Sequence, residues 1–169
     1  MASSTVVKNF TDGLITLKDG TGTPISVDVK YDNGDFSISG LAQKLREVVA
    51  YQSRGVLNSV RHTNRSFPTF SFTAKMSEFT SATANSLSDA VRKKGAFTAG
   101  ISTLGASADV WALDLTLTVE GTTFGDSSDH TFTLGSCQMT LDFSEGDPSQ
   151  FSINGTVYGA ITGDLAVAV

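Results

Sequence analysis

The alternation that decides the fold runs through Asp109-Val-Trp-Ala-Leu-Asp-Leu-Thr-Leu-Thr-Val-Glu-Gly121. Because successive side chains of a β-strand point to opposite faces, this pattern predicts a strand with one apolar face and one polar face. Residues 110–120 would span roughly 36 Å at about 3.3 Å per residue, which is long for a small domain. The extra length favours a contact outside the single chain. The apolar face comprises Trp111, Leu113, Leu115, Leu117 and Val119.

Composition favours one domain, over residues 1–169, that is rich in β-structure. The chain is 40% hydrophobic and 17% charged, with 16 Gly and 11 Phe against 3 Pro, which suits a packed core with many turns. A single cysteine, Cys137, excludes an internal disulfide. No run of about eighteen apolar residues could span a bilayer, and the first residues lack the pattern of a secretion signal. We expect synthesis and folding in the cytoplasm, without a membrane partner.

Charge is divided unevenly along the chain. Residues 1–94 hold all 12 Lys and Arg and eight acids, whereas residues 95–169 hold nine acids and no Lys or Arg. This division favours contact between the two regions, within the fold or between neighbouring copies. The alternative is a surface charge that carries no information about a partner. The basic stretch 41–66 is the candidate subunit interface, with Lys44, Arg46, Arg54, Arg61 and Arg65 against Glu47.

The first half of the chain predicts short strands around a basic excursion. Residues 1–13 form a polar arm, and strands follow at 14–18 and 25–31. Asn33-Gly34 predicts a hairpin to a return strand that begins at Phe36 and is closed by Gly40. Residues 41–66 are predicted to leave the sheet as a long loop. A helical turn over 41–49 and a strand over 56–63 are alternatives within it.

A helix is predicted over about 80–94, after a strand at 70–76. Thr80 or Ser81 would cap its start, and the basic run 92–94 suits its last turn, with Gly95 ending it. Its apolar stripe would pack on the sheet. A further strand is predicted over 97–104. The stripe consists of Ala84, Leu87 and Val91.

The last part of the chain predicts an antiparallel meander. Three strands follow one another with short turns, at 109–121, 132–143 and 151–161. The apolar parity of the second changes at Gly135-Ser136, which is typical of a β-bulge. The apolar tail 165–169 is expected to dock on another surface. The predicted fold class is therefore mainly β, an antiparallel β-sandwich or half-barrel with one flanking helix.

Residues for catalysis or cofactor binding are sparse, and we predict no enzyme, cofactor or metal site. His62 and His130 lie in no spaced metal motif. The turn with Asp126, Asp129 and His130 is interpreted as a solvated acidic turn, since its spacing is not that of a calcium loop. Cys137 lies on the apolar parity, which favours a buried thiol. Asp114 and Asp142 could pair across neighbouring strands, but nothing else supports such chemistry.

Four segments of the chain resemble the tail tube protein of long-tailed bacteriophages, a family related to the tube protein of type VI secretion. Two are early, Leu14-Ile-Thr-Leu-Lys-Asp-Gly-Thr-Gly-Thr-Pro24 and Ser59-Val-Arg-His-Thr-Asn-Arg65. The others are residues 108–121 and Phe151-Ser-Ile-Asn-Gly-Thr-Val-Tyr158, which continues to Ile161. They are spread over most of the chain, although no single short motif is diagnostic.

The resemblance implies a structural virion protein that forms hexameric rings stacked into a tube. It implies copies of itself and other tail proteins as partners, with double-stranded DNA passing through the channel without specific binding. Assembly would take place in the host cytoplasm. A tail terminator or connector on a related fold is the first alternative, and a carbohydrate-binding β-sandwich is the second. An acidic, Thr-rich channel lining is expected from Asp114, Thr116, Thr118, Glu120, Thr140 and Asp142.

Overall fold

The computed structural model describes residues 13–29, 35–41, 46–77, 79–80, 84–122 and 125–164. The predicted arm and tail therefore lie outside the described residues, except for Gly13. The helical elements are α1 (Leu87–Arg92) and a 3-10 helix (Gly95–Ala99). The strands are β1 (Gly13–Lys18), β2 (Ser26–Val29), β3 (Ser37–Ser39), β4 (Arg46–Ser53), β5 (Val56–Arg65), β6 (Thr69–Lys75), β7 (Leu113–Val119), β8 (His130–Ser144), β9 (Gln150–Val157) and β10 (Ile161–Gly163).

One large antiparallel sheet carries the fold. Its strand order is β2-β1-β7-β8-β9-β6-β3, and β10 pairs with the first half of β8. The consecutive strands β7, β8 and β9 pair as neighbours, which confirms the predicted meander. The fold class is confirmed as mainly antiparallel β, consistent with a sandwich or half-barrel with one helix.

Alternation in β7 determines the core. Leu113, Leu115, Leu117 and Val119 are buried, while the residues between them are half-buried on the outer face. The strand is shorter than the predicted 110–120, because the chain leaves the sheet before Leu113. Trp111 lies outside the strand, where its indole Nε1 donates to the Ala90 carbonyl at 2.8 Å. The unusually long strand of the sheet is instead β8, which has 15 residues.

The sheet curls so that its two halves enclose one core. A cavity of about 210 Å³ is lined by Val27 and Val29 of β2 together with Lys75 of β6 and Phe151 of β9, which are well separated in the strand order. The Asn33-Gly34 turn lies outside the described residues, but the hairpin expected there is wrong. The return strand β3 pairs with β6, at the far edge of the sheet from β2.

The predicted β-bulge is confirmed in β8. Leu113 pairs with Cys137 and Leu115 with Leu134, so β8 has one residue more than β7 between these pairs. Ser136 has a φ of 50°. Before the bulge β8 pairs with β10, and from Cys137 onward it pairs with β9. The bulge is therefore the point at which β8 changes partner.

The helix begins later than predicted. Ser86 is the N-cap, because its hydroxyl accepts from the Asp89 amide at 3.1 Å. This capping bond marks the start of the helix. Thr80 lies before the helix and Ser81 lies outside the described residues. Ala84 is exposed and not helical, whereas Leu87 is buried as predicted. Lys93, with a φ of 54°, forms the C-cap in place of Gly95.

The strand predicted over 97–104 is wrong. Phe97 is buried within the 3-10 helix, and the chain then runs irregularly to Ala112. Its backbone groups bond to the β1–β2 turn: the Asp19 carboxylate accepts from the Ile101 amide at 3.2 Å, and the Gly20 amide donates to the Ile101 carbonyl at 2.7 Å. The buried Asp19 thus replaces a sheet ladder as the partner of this segment.

The basic excursion leaves the main sheet, but as a hairpin rather than a loop. Strands β4 and β5 form a separate two-stranded sheet, with a turn at Arg54 and Gly55. The alternative strand over 56–63 agrees with β5, and the helical turn over 41–49 is wrong because Arg46 already begins β4.

We predict that Gly159→Ala destabilises the fold, because a Cβ there would lie 2.6 Å from the Gly135 carbonyl carbon. The added methyl group would push the backbones of residues 159 and 135 apart at the bulge. This strain should lower the free energy of unfolding by about 1–3 kcal/mol. The control is Gly22→Ala, where a Cβ meets nothing within 4 Å. Chemical denaturation of both variants measures the difference. Equal stabilities would contradict a close-packed bulge.

Candidate assembly surfaces

The β4–β5 hairpin is exposed on both faces. Only Val49 and Ser59 are even half-buried, so neither face packs on the body of the protein. Five large apolar side chains are open to solvent, the most exposed being Val56 at 66%. A free two-stranded hairpin is marginally stable in water, and exposed apolar patches mark interaction sites. The five are Val48, Tyr51, Val56, Leu57 and Val60.

The predicted interface cations gather on this hairpin. Arg46, Arg54, Arg61 and Arg65 are all exposed, and Lys44 lies outside the described residues. Arg46 stands directly opposite Arg65 at the hairpin base, where like charges disfavour pairing. The Arg65 guanidinium lies 5.4 Å from the centroid of the Phe67 ring. An open cavity of about 690 Å³ at this base is lined by both arginines and by Glu47, so the base has an excess of positive charge.

The predicted channel residues share the outer face of the sheet, opposite the core. Thr116 pairs with Thr16 on one side and with Thr133 on the other, and Thr133 pairs with Thr162. A row of four threonines therefore crosses β1, β7, β8 and β10. Thr118 lies on the same face of β7, and Glu120 follows at the same parity and is exposed.

Asp114 differs from the other residues of this set because it is part of the bulge. Its Oδ1 accepts from the Ser136 amide at 2.8 Å, and the residue is half-buried. Burial, and then the charge of Asp114, raise the pKa of Cys137 to about 12. The thiol is buried, as the sequence predicted, and its raised pKa keeps it protonated at neutral pH.

Thr140 and Asp142 lie on the second half of β8, which extends beyond its pairing with β7. Asp142 pairs with Ser152, five residues further along β8 than Cys137, so at about 3.3 Å per residue it lies far from Asp114. The two carboxylates are not a catalytic pair. Nearby, a cavity of about 350 Å³ is lined mainly by hydroxyl and amide side chains: Ser37, Ser39, Thr69, Ser71, Gln138, Thr140, Asn154 and Thr156.

His130 links the acidic turn to the end of β10. Its Nε2 lies 2.9 Å from Asp126 Oδ2 and its Nδ1 lies 2.8 Å from Asp164 Oδ2. These bonds, first to Asp126 and then to Asp164, raise the pKa of His130. Asp129 accepts from the amides of Thr122 and Gly121, which lower the pKa of Asp129. Among the described residues no group of three or more His, Cys, Asp or Glu could hold a metal ion.

Comparison with known proteins bears on the fold. No family model and no curated protein sequence matches the chain. A similar fold occurs in a cryo-EM structure of the sheath/tube terminator of PVC, an extracellular contractile injection system, in its extended state. The match has a TM-score of 0.57 and 11% identity, and covers 96% of this chain and 99% of that one. In the described part of the chain, no helix is long and apolar enough to cross a membrane.

We predict that the contact of His130 with two carboxylates stabilises the fold in a pH-dependent way. Since the folded-state pKa is raised, the stabilisation is complete below the ordinary value of about 6.5 and is lost as pH rises through the folded pKa. Chemical denaturation of wild type and His130→Gln should be compared from pH 5 to 9, about two units either side of neutrality. The difference in their free energies of unfolding should shrink as pH rises. Asp164→Asn should lower the NMR titration midpoint of His130. A pH-independent difference would contradict this account.

Proposed function

We propose that the chain is a structural protein of a phage-tail-like particle, and that copies of it assemble into rings stacked as a tube. The observation that carries the proposal is the β4–β5 hairpin, which is apolar, basic and exposed on both faces. Such a hairpin gains stability when a second surface covers it. The similar fold of a tube terminator in a contractile injection system supports this assignment.

The outer face of the sheet is the proposed channel lining. It presents threonines in register, with carboxylates at its margins. Along β7 and β8 this face carries hydroxyl and carboxylate side chains, and its Lys18 on β1 stands opposite Asp114. Phosphates therefore find little unbalanced positive charge to bind, and a duplex can slide without retention. In this proposal the protein has no catalytic activity, and it assembles in the host cytoplasm before becoming part of the virion tail.

A tail terminator is the second candidate, and the similar structure supports it because that protein is a sheath/tube terminator. The two functions differ in how far self-assembly proceeds. A tube protein elongates, whereas a terminator stops at one ring on an existing tube. Negative-stain microscopy of the purified protein over a range of concentrations tests both. Hollow tubes support the tube assignment, and single rings that never elongate support the terminator. Monomers at every concentration would contradict both.

Charge reversal on the hairpin should impair assembly. We predict that Arg54→Glu and Arg61→Glu each leave the monomer folded, since both side chains are exposed, but reduce the assembled fraction at low salt. The matched control is Lys94→Glu, an equal charge change at an exposed position outside the hairpin. Sedimentation measures assembly, and circular dichroism measures folding. If both hairpin variants assemble like wild type, the basic hairpin is not an interface.

The lining predicts a response to added positive charge. Asp142→Lys should leave tubes intact but cause them to retain a short fluorescent DNA duplex at low ionic strength and release it at high salt. Asp142 is preferable to Asp114, whose carboxylate holds the Ser136 amide. Asp109→Lys, at an exposed position outside the sheet, is the control. Equal DNA retention by the two variants would contradict the proposed lining.

A further inference from the structure

Beside the turn between β8 and β9 lies an exposed aromatic patch, and the turn itself carries two exposed carboxylates. Phe79 and Phe143 are 47% and 48% exposed, and their ring centroids lie 5.2 Å apart. Both rings contact buried Phe151, at 5.8 Å and 6.1 Å, so the patch is held on the end of the core. Glu145 and Asp147 are exposed in the turn, and no ion pair or hydrogen bond engages either carboxylate within the described residues. We call these four side chains the acidic aromatic turn.

The acidic aromatic turn and the hairpin lie at opposite ends of β6. The hairpin leads into the Thr69 end, whereas Lys75 pairs with Gln150 and the Met76 amide donates to the Ser149 carbonyl at the turn. Seven residues of strand separate these ends by about 20 Å. The hairpin is exposed on both faces, so it does not fold back onto the turn of its own chain.

We infer that the apex of the hairpin of one copy docks on the acidic aromatic turn of the next copy, in a head-to-tail contact. Arg54 would meet Glu145 and Asp147, and Val56 and Leu57 would cover the two phenylalanines. The contact joins two different patches, and a heterologous contact of this kind generates rings or filaments. The inference rests on the proposed self-assembly and names the two surfaces that perform it.

Other surfaces fit the hairpin less well. Around His130, Asp126, Asp129 and Asp164 already accept hydrogen bonds within the chain, and no described residue of that turn is an exposed large apolar side chain. The irregular segment 100–112 exposes Ile101, Leu104 and Val110 but has one carboxylate, Asp109, and lies beside Lys93. Of the described surfaces, the acidic aromatic turn alone combines exposed aromatic rings with two unengaged carboxylates.

Cysteine cross-linking tests the contact directly. Cys137 is buried and its thiol has a high pKa. The native cysteine should therefore not react with the reagent, and only the introduced thiols are cross-linked. The chain carrying both Leu57→Cys and Phe143→Cys, assembled and treated with a short bis-maleimide, should give a ladder of dimers, trimers and longer species on a denaturing gel. Each single variant should give no ladder. A pair placed away from the turn, Leu57→Cys with Leu104→Cys, is the matched control.

Charge exchange provides the second arm. Arg54→Glu and the double variant Glu145→Lys with Asp147→Lys should each lose assembly, and the three substitutions together should restore it. Asp109→Lys combined with Arg54→Glu should not restore assembly. If wild type assembles, but the assembled Leu57→Cys/Phe143→Cys variant gives no ladder and the charge exchange gives no rescue, the docking contact is overturned and the proposed function stands. Wild type that never assembles would overturn both.

Discussion

The fold depends on the β-bulge in the middle of β8. β10 and β9 pair in succession with the same edge of β8, since β7 pairs with the other edge. The extra residue at Gly135-Ser136 lies where they meet and bends the strand. The Ser136 amide, turned out of the ladder, donates to Asp114. On the other side, Gly135 and Gly159 approach backbone to backbone. Since β8 is central to the sheet, its bend helps to curl both halves around the core.

Much of this arrangement could be predicted from the sequence because it depends on local parity. Alternation in β7 identifies the buried face, and the parity change at Gly135-Ser136 identifies the bulge. The burial of Cys137 follows from the same parity. Consecutive strands with short turns pair as neighbours, so the meander needs no long-range information. The charge division in the sequence likewise points to the basic segment as a candidate site.

The remaining features depend on contacts that are distant along the chain. In segment 97–104 the Ile101 amide donates to the Asp19 carboxylate, about eighty residues earlier, rather than to a neighbouring strand. β3 pairs with β6 because the sheet curls. Nothing in the sequence of residues 36–38 predicts this pairing. The hairpin was missed as paired structure because it buries neither face, so apolar and charged residues share both parities. The acidic aromatic turn was missed because Phe143 continues the apolar parity of β8, which predicted burial.

These misses have a common cause, which bears on function. Parity predicts burial only where a strand has the rest of its own chain on one side. Along β8 the rule holds for Leu134 and Cys137 but fails at Phe143, near the turn. In the hairpin it fails throughout, and the exposed Val48 and Val60 meet no core. Exposed apolar side chains on strands with no core beneath them are expected when part of the packing comes from another molecule. The failures of the sequence rule therefore lie at opposite ends of β6, on the two surfaces that a head-to-tail assembly would bury.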